Sequence, residues 1–187
     1  MIEIRHAPMV DLDQYEQISI ARTVTAHLDR ESLKEGLLTT HPVTPYVKDY
    51  DACEEDRPTI LPTRFDTQNW ATLIALQDHQ RVGGAIPAWN CPRFDLLENR
   101  LDLTHIVDLR VAPEARAQGI GKALFQEAAK WAKDKNCTEL RVETQDTNPE
   151  ACRFYAAMGC RLHSVEANAY GPDIDELKLI WTLPLAP

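Results

Sequence analysis

The stretch Val111-Ala-Pro-Glu-Ala-Arg116-Ala-Gln-Gly119-Ile-Gly121-Lys-Ala-Leu constrains this chain more than any other. An apolar strand enters it from residue 105, Pro113 breaks the extended run, and Arg-x-x-Gly-x-Gly opens an amphipathic helix read over 119–134. Ile120, Leu124, Ala128 and Trp131 recur on one face of that helix. Lys130, Lys133 and Lys135 lie in or near its last turns, where the helix dipole favours cations. At the other end, the first N–H groups have no carbonyl partner inside the helix and carry partial positive charge. Glycines there let the backbone approach an anion with no Cβ in the way. The pattern predicts capture of a phosphate group, with Arg116 and Lys122 as added cations. Two familiar nucleotide motifs are excluded. A Walker loop needs Ser or Thr after Gly-Lys to hold magnesium, and Ala123 stands there; the dinucleotide fingerprint needs a third glycine and an N-terminal βαβ unit.

The chain has 187 residues, 44% apolar and 26% charged, which suits a single globular domain, 1–187. Twenty basic residues against 29 acidic give a net charge of −9. So acidic a chain lacks the basic surface that nucleic-acid binding requires, and it suits a cationic small molecule. No apolar run reaches the roughly 18 residues of a membrane span. The opening Met1-Ile-Glu-Ile-Arg-His has no hydrophobic leader core. A cytoplasmic protein with no membrane partner is the expectation. The five cysteines (Cys53, Cys91, Cys137, Cys152 and Cys160) include no Cys-x-x-Cys pair. That argues against a zinc site and against a disulfide framework.

Periodicity gives the element order. Residues 2–7 alternate as a strand. Asp11 opens a helical stretch carrying Leu12, Tyr15 and Ile18, and residues 23–38 read as a second helix on Val24, Leu28, Leu33 and Leu37. Residues 39–66, with four prolines and five clustered acids, read as an irregular insertion, and 92–103 as a second one. Strands follow at 70–77 and 82–89, where the pair Gly83-Gly84 signals a bulge or a close backbone approach. Further strands are read at 105–111, 139–145, 160–166 and 174–183, with a helix over 149–158. This is a mixed α/β pattern.

Taken together, strand 105–111, the turn Arg116-Ala-Gln-Gly119-Ile-Gly121, strand 139–145, Asn148 and Ala151-Cys-Arg-Phe154-Tyr155-Ala-Ala-Met-Gly159 resemble the GNAT superfamily of acetyl-CoA-dependent N-acetyltransferases. The likeness is strong over 100–166 and looser, though consistent in element order, elsewhere. Val142-Glu-Thr-Gln-Asp-Thr-Asn148, with Ala169-Tyr170 further on, is similar to the streptothricin-acetyltransferase-like branch. The resemblance implies a mostly antiparallel sheet splayed between its fourth and fifth strands and flanked by about four helices. It implies acetyl-CoA as cosubstrate, no metal, and direct attack by a primary amine in a ternary complex. In that scheme the backbone of Leu109, Arg110 and Val111 runs beside the pantetheine arm. The amides of Arg116, Ala117, Gln118, Gly119, Ile120 and Gly121, with Lys122, hold the diphosphate. Asn148 and Ala151 flank the thioester end, and Tyr155 protonates the departing thiolate. A phenol pKa near 10 suits that task.

Three residues compete to bind the amine or take its proton: Asp108, His105 and Glu143. Strict alternation puts His105, Val107, Leu109 and Val111 on one strand face and Ile106, Asp108 and Arg110 on the other. Arg110 and Arg141 have a simpler reading as cross-strand ion-pair partners of the acids. Tyr170 is a candidate acceptor contact beside Asp108 and Glu143. The acceptor expected is a small cationic amine; a protein amine, or a non-catalytic acyl-CoA-binding module, are the alternatives. A homodimer is the prior for a small enzyme of this kind.

Overall fold

The computed structural model describes residues 2–7, 9 and 12–185. Asp11, the expected start of the first helix, lies outside the described residues. The element order is β1 (Ile2–Ala7), α1 (Leu12–Glu16), β2 (Arg22–Leu28), α2 (Arg30–Lys34), β3 (Thr40–Lys48), α3 (Leu61–Arg64), β4 (Thr72–Gln77), β5 (Gln80–Ala88), β6 (Leu103–Val111), α4 (Ile120–Asp134), β7 (Glu139–Gln145), α5 (Pro149–Ala157), β8 (Arg161–Glu166) and β9 (Lys178–Pro184). Seven strands form a mixed α/β sheet, and β2 with β3 makes a separate two-stranded ribbon. The pairings β1·β4, β4·β5, β5·β6 and β8·β9 are antiparallel. The expected fold class is therefore present, with three of the five helices only four or five residues long.

Two units divide the chain. The first comprises Met1–Ala21, Asp49–Leu140 and Leu185–Pro187, and the second Arg22–Lys48 and Arg141–Pro184. In the first, the strand order is β1-β4-β5-β6. One face of its sheet carries a core of Leu12, Tyr15, Leu61, Trp70, Ile74, Ile86, Phe94, Leu97 and Leu103. The segment 92–103, read as polar from sequence, thus contributes Phe94, Leu97 and Leu103 to this core. On β5 the two glycines do separate jobs. A Cβ on Gly83 would meet Ile120 and Leu124 of α4 at 3.1 Å, so its absence lets the helix lie close to the strand. A Cβ on Gly84 would sit 2.2 Å from the Tyr15 ring. The β4·β5 register also shifts beside this pair, so the bulge and the close approach read from sequence are both present. The apolar stripe of α4 is buried as its periodicity predicts: Ile120, Leu124, Phe125, Ala128 and Trp131.

The second unit departs from the sequence reading at its start. Residues 22–28 are strand β2, not the beginning of a helix. Val24 and Leu28 are both buried, and a spacing of four satisfies either period. The β-branched run Thr23-Val24-Thr25 favours the strand. Asp29 then accepts a hydrogen bond from Ser32 N–H at 2.8 Å, so the helix starts only at Arg30, and Leu37 is left 50% exposed. Residues 40–48 pair with β2 as β3 despite Pro42 and Pro45, which an outer strand tolerates. The strand order in the rest of this unit is β7-β9-β8.

Replacing Gly84 with Ala places a methyl against a fully buried tyrosine, and overpacking of this kind costs about 1–3 kcal/mol. Urea unfolding of Gly84→Ala should show a lowered midpoint with an unchanged slope; an unaltered midpoint would show that Tyr15 gives way freely.

Candidate active site

The turn between β6 and α4 has the form that anion binding requires. A single 3-10 turn, Pro113–Ala115, follows the strand, and Ala117 (φ 60°) and Gly119 (φ 84°) then adopt left-handed conformations. Ala117 bears strain there that a glycine would not. Alternation of this sort aims successive N–H groups into one concavity. The helix's first backbone bond runs from Ala123 N–H to Gly119 C=O, at 3.0 Å, so the N–H groups of its opening residues lie ahead of the helical ladder. A Cβ on Gly119 would meet nothing within 4 Å; the approach is open. Lys122 is exposed on the first turn. Arg116 is less mobile than its exposure suggests. Its Nε donates to Val111 C=O at 3.1 Å and its Nη2 to Ala21 C=O at 2.9 Å, which staples the turn to the strand end. Gln118 donates to Glu114 C=O at 3.2 Å. Backbone donors, an open approach and a nearby ammonium fit a diphosphate.

Strand β6 does not alternate as expected. Its register against β5 runs Ile86↔Asp108 and then Pro87↔Ile106, so Val107 is an extra, bulged residue. The bulge reverses the parity. His105 packs edge-on to Phe94 at 5.7 Å, Val107 packs on the same core, and Asp108 and Arg110 meet Tyr15 of that core. Residues expected on opposite faces therefore share one.

Arg110 is 2% exposed, and each of its N–H donors has an acceptor. Asp108 takes Nε at 2.9 Å and Nη2 at 2.6 Å. Asp51 takes Nη1 at 2.8 Å and Nη2 at 3.0 Å, and Ile18 C=O takes Nη1 at 3.0 Å. Burial opposes the charge, but these bonds outweigh it and hold Arg110 protonated. Tyr15 donates to Asp108 Oδ1 at 2.5 Å. Burial, and next the Asp108 charge, push the Tyr15 phenol well above its ordinary pKa, so it remains a donor. Asp108 is thus a structural acceptor three times over. Leu109 and Val111, half-buried, continue the strand on the opposite parity.

In the second unit, β7 presents Glu143 and Gln145, and both meet Tyr170. The Tyr170 hydroxyl donates to Glu143 Oε1 at 2.8 Å and accepts from Gln145 Nε2 at 2.9 Å. Burial first, and then the Glu143 charge, raise the Tyr170 pKa. Two residues expected to meet the acceptor are therefore in direct contact. Asn148 caps α5, its side chain accepting from Ala151 N–H at 3.2 Å, so the cap engages the Ala151 amide. Tyr155 follows on α5, 6% exposed, with its ring against Phe154. Burial pushes the Cys152 thiol up to about 12, which removes it as a nucleophile near neutral pH.

Sequence reasoning missed Tyr15, Asp51, Arg30 and Asp146 as interacting groups. Asp146 is 1% exposed and accepts from Leu177 N–H and Arg30 Nε, both at 2.9 Å. Its one sequence signal is an acid directly after a buried strand; Arg30, which lies within a misread helix, had none. Among the described residues, no three His, Cys, Asp or Glu side chains gather to hold a metal ion. Nor is any described helix long and apolar enough to cross a membrane.

Comparison with known proteins identifies the family. The acetyltransferase (GNAT) family profile matches residues 33–160. Streptothricin acetyltransferase A of Bacillus subtilis (strain 168) is 37% identical over 139 residues, covering 73% of this chain and 72% of that protein. Streptothricin acetyltransferase of Escherichia coli is 27% identical over 162 residues, covering 85% and 79%. The crystal structure of a candidate streptothricin acetyltransferase from Bacillus anthracis str. Ames, in complex with acetyl coenzyme A, superposes with a TM-score of 0.74 at 24% identity, over 98% of this chain and 99% of that one. The chain belongs to the acetyltransferase (GNAT) family and is an acetyl-CoA-dependent N-acetyltransferase.

Proposed function

We propose that the chain transfers the acetyl group of acetyl-CoA to a primary amine of a small cationic acceptor of the streptothricin class, by direct attack. Two features support the acceptor class: the likeness to the B. subtilis streptothricin acetyltransferase over 73% of the chain, and the net charge of −9. The observation that carries the reading is the β6–α4 turn, with left-handed Ala117 and Gly119 opening a helix into free space.

Acetyl-CoA supplies the activated thioester. In this reading the amides of residues 116–121 and Lys122 hold its diphosphate, which places the reacting carbonyl without further ordering cost. The backbone of Leu109, Arg110 and Val111 orients the pantetheine arm as an added strand would. Asn148, on the cap of α5, and Ala151 flank the thioester end. The Tyr155 phenol donates its proton to the departing sulfur. The amine must lose a proton before it attacks. Of the three base candidates, Glu143 is favoured. Asp108 is held by Arg110 and Tyr15, and His105 is 2% exposed against Phe94. Glu143 and Tyr170 then receive the ammonium and relay its proton. No step is assigned to a metal ion or to Cys152. The proposal takes residues 1–187 as one transferase domain, cytoplasmic, with neither nucleic acid nor membrane as a partner; a homodimer fits equally.

Tyr155→Phe should lower kcat with streptothricin by about 100-fold or more while CoA binding, measured calorimetrically, is retained; full turnover would remove Tyr155 as the acid. Gly119→Ala forces a Cβ into a left-handed position at a cost of about 1–2 kcal/mol, so KM for acetyl-CoA should rise about tenfold with KM for the acceptor unchanged. A rise in the acceptor KM alone would place the cosubstrate elsewhere.

A further inference from the structure

Residues 167–177 form only turns and irregular backbone, yet three side-chain locks hold this segment. Tyr170, at its start, is tied to Glu143 and Gln145 of β7. Asp175 is tied to Arg30: Nη1 donates to Asp175 Oδ1 at 2.7 Å and Nη2 to the Asp175 carbonyl at 2.9 Å. Glu176 makes an ion pair with Lys48 of β3, the two side chains being 17% and 19% exposed. Arg30 has a second, firmer attachment. Its Nε donates to Asp146, whose side chain is 1% exposed and whose other oxygen takes Leu177 N–H. The backbone carbonyl of Asp146 also accepts Leu28 N–H at 2.9 Å. Arg30 therefore joins a rigid, buried carboxylate to the far end of the irregular segment.

We propose that Arg30 and Lys48 are positioning residues for the acceptor amine, acting through Tyr170; this rests on the reading above, in which Glu143 and Tyr170 meet that amine. Between Tyr170 and Asp175 lie Gly171, at φ 104°, and Pro172. A backbone that turns through such a glycine has wide conformational freedom unless both its ends are held. The Glu143 and Gln145 bonds hold one end; at the other, Leu177 is fixed to Asp146, and Arg30 and Lys48 hold Asp175 and Glu176 just ahead of it. Release of the far end lets the phenol leave Glu143, and the amine loses one of its two oxygen contacts. Arg30 and Lys48 belong to one unit of the chain, and residues 116–121 to the other.

The test is a double-mutant cycle on the full chain with streptothricin as acceptor. Arg30→Met and Lys48→Met should each raise the acceptor KM about tenfold and leave the acetyl-CoA KM within about twofold. In a Tyr170→Phe background the same substitutions should have little further effect, because their route of action is already gone. Arg30→Lys, which keeps the charge but not the fork, should recover part of the loss. Equal rises in both KM values, or an undiminished effect in the Tyr170→Phe background, would make the two cations general structural supports and overturn the proposal. A second arm needs no activity: chymotrypsin should cut after Tyr170 faster in Arg30→Met than in wild type, and unchanged cleavage overturns the anchoring. Should wild type acetylate no streptothricin, the acceptor reading fails by itself, and the cleavage arm still decides whether Arg30 holds the segment.

Discussion

A guanidinium that leaves water must find an acceptor for every N–H, and in this protein Arg110 does so. Five hydrogen bonds, shared among Asp108, Asp51 and the Ile18 carbonyl, satisfy its five donors. Loss of one carboxylate from such a set costs about 3–5 kcal/mol, since a buried charge is left uncompensated. The demand shapes the first unit. It draws the 3-10 segment that carries Asp51 onto β6 and seats Tyr15 over the strand, with its ring 5.2 Å from the guanidinium. It also requires Gly84, because any Cβ there would collide with Tyr15. The bulge at Val107 is part of the same arrangement: without it, Asp108 and Arg110 would point away from Tyr15.

The strand so held delivers the chain to the turn at 116–121, where we propose that the diphosphate is held. Arg116 braces the turn against Val111 and Ala21 instead of reaching outward, which leaves the backbone amides as the principal donors. Fixed dipoles of this kind need no reorganisation when a ligand arrives. The acidic balance of the chain, −9 overall, then suits one local site that welcomes an anion and a wider surface that welcomes a cation.

Much of this could be read from the residues. The strand–turn–helix signal at 105–134 and the strand at 139–145 are strongly periodic, and local chemistry decides them. The helix over 149–158 could be placed because Pro149 suits a first helical position, whereas Asn148 and Tyr155 were singled out only by the family resemblance. Other features were hidden for identifiable reasons. Val24 and Leu28, four residues apart, serve a strand as well as a helix, so β2 was misread. A bulge leaves no mark on composition, so the parity of β6 and the shared face of His105 and Asp108 were unreadable. Ion pairs such as Arg30–Asp146, separated by 116 residues, arise only once the chain has folded. Glu143 and Tyr170 were named separately as acceptor contacts; their mutual hydrogen bond joins residues 27 positions apart.

The account depends most on the turn after β6 receiving the diphosphate. Amide chemical shifts followed by NMR during titration with CoA test this without any acceptor. The largest shifts should fall on Ala117 to Lys122 and should be much smaller with pantetheine, which lacks the diphosphate. CoA that binds while those amides stay still, or that fails to bind at millimolar excess, would contradict it.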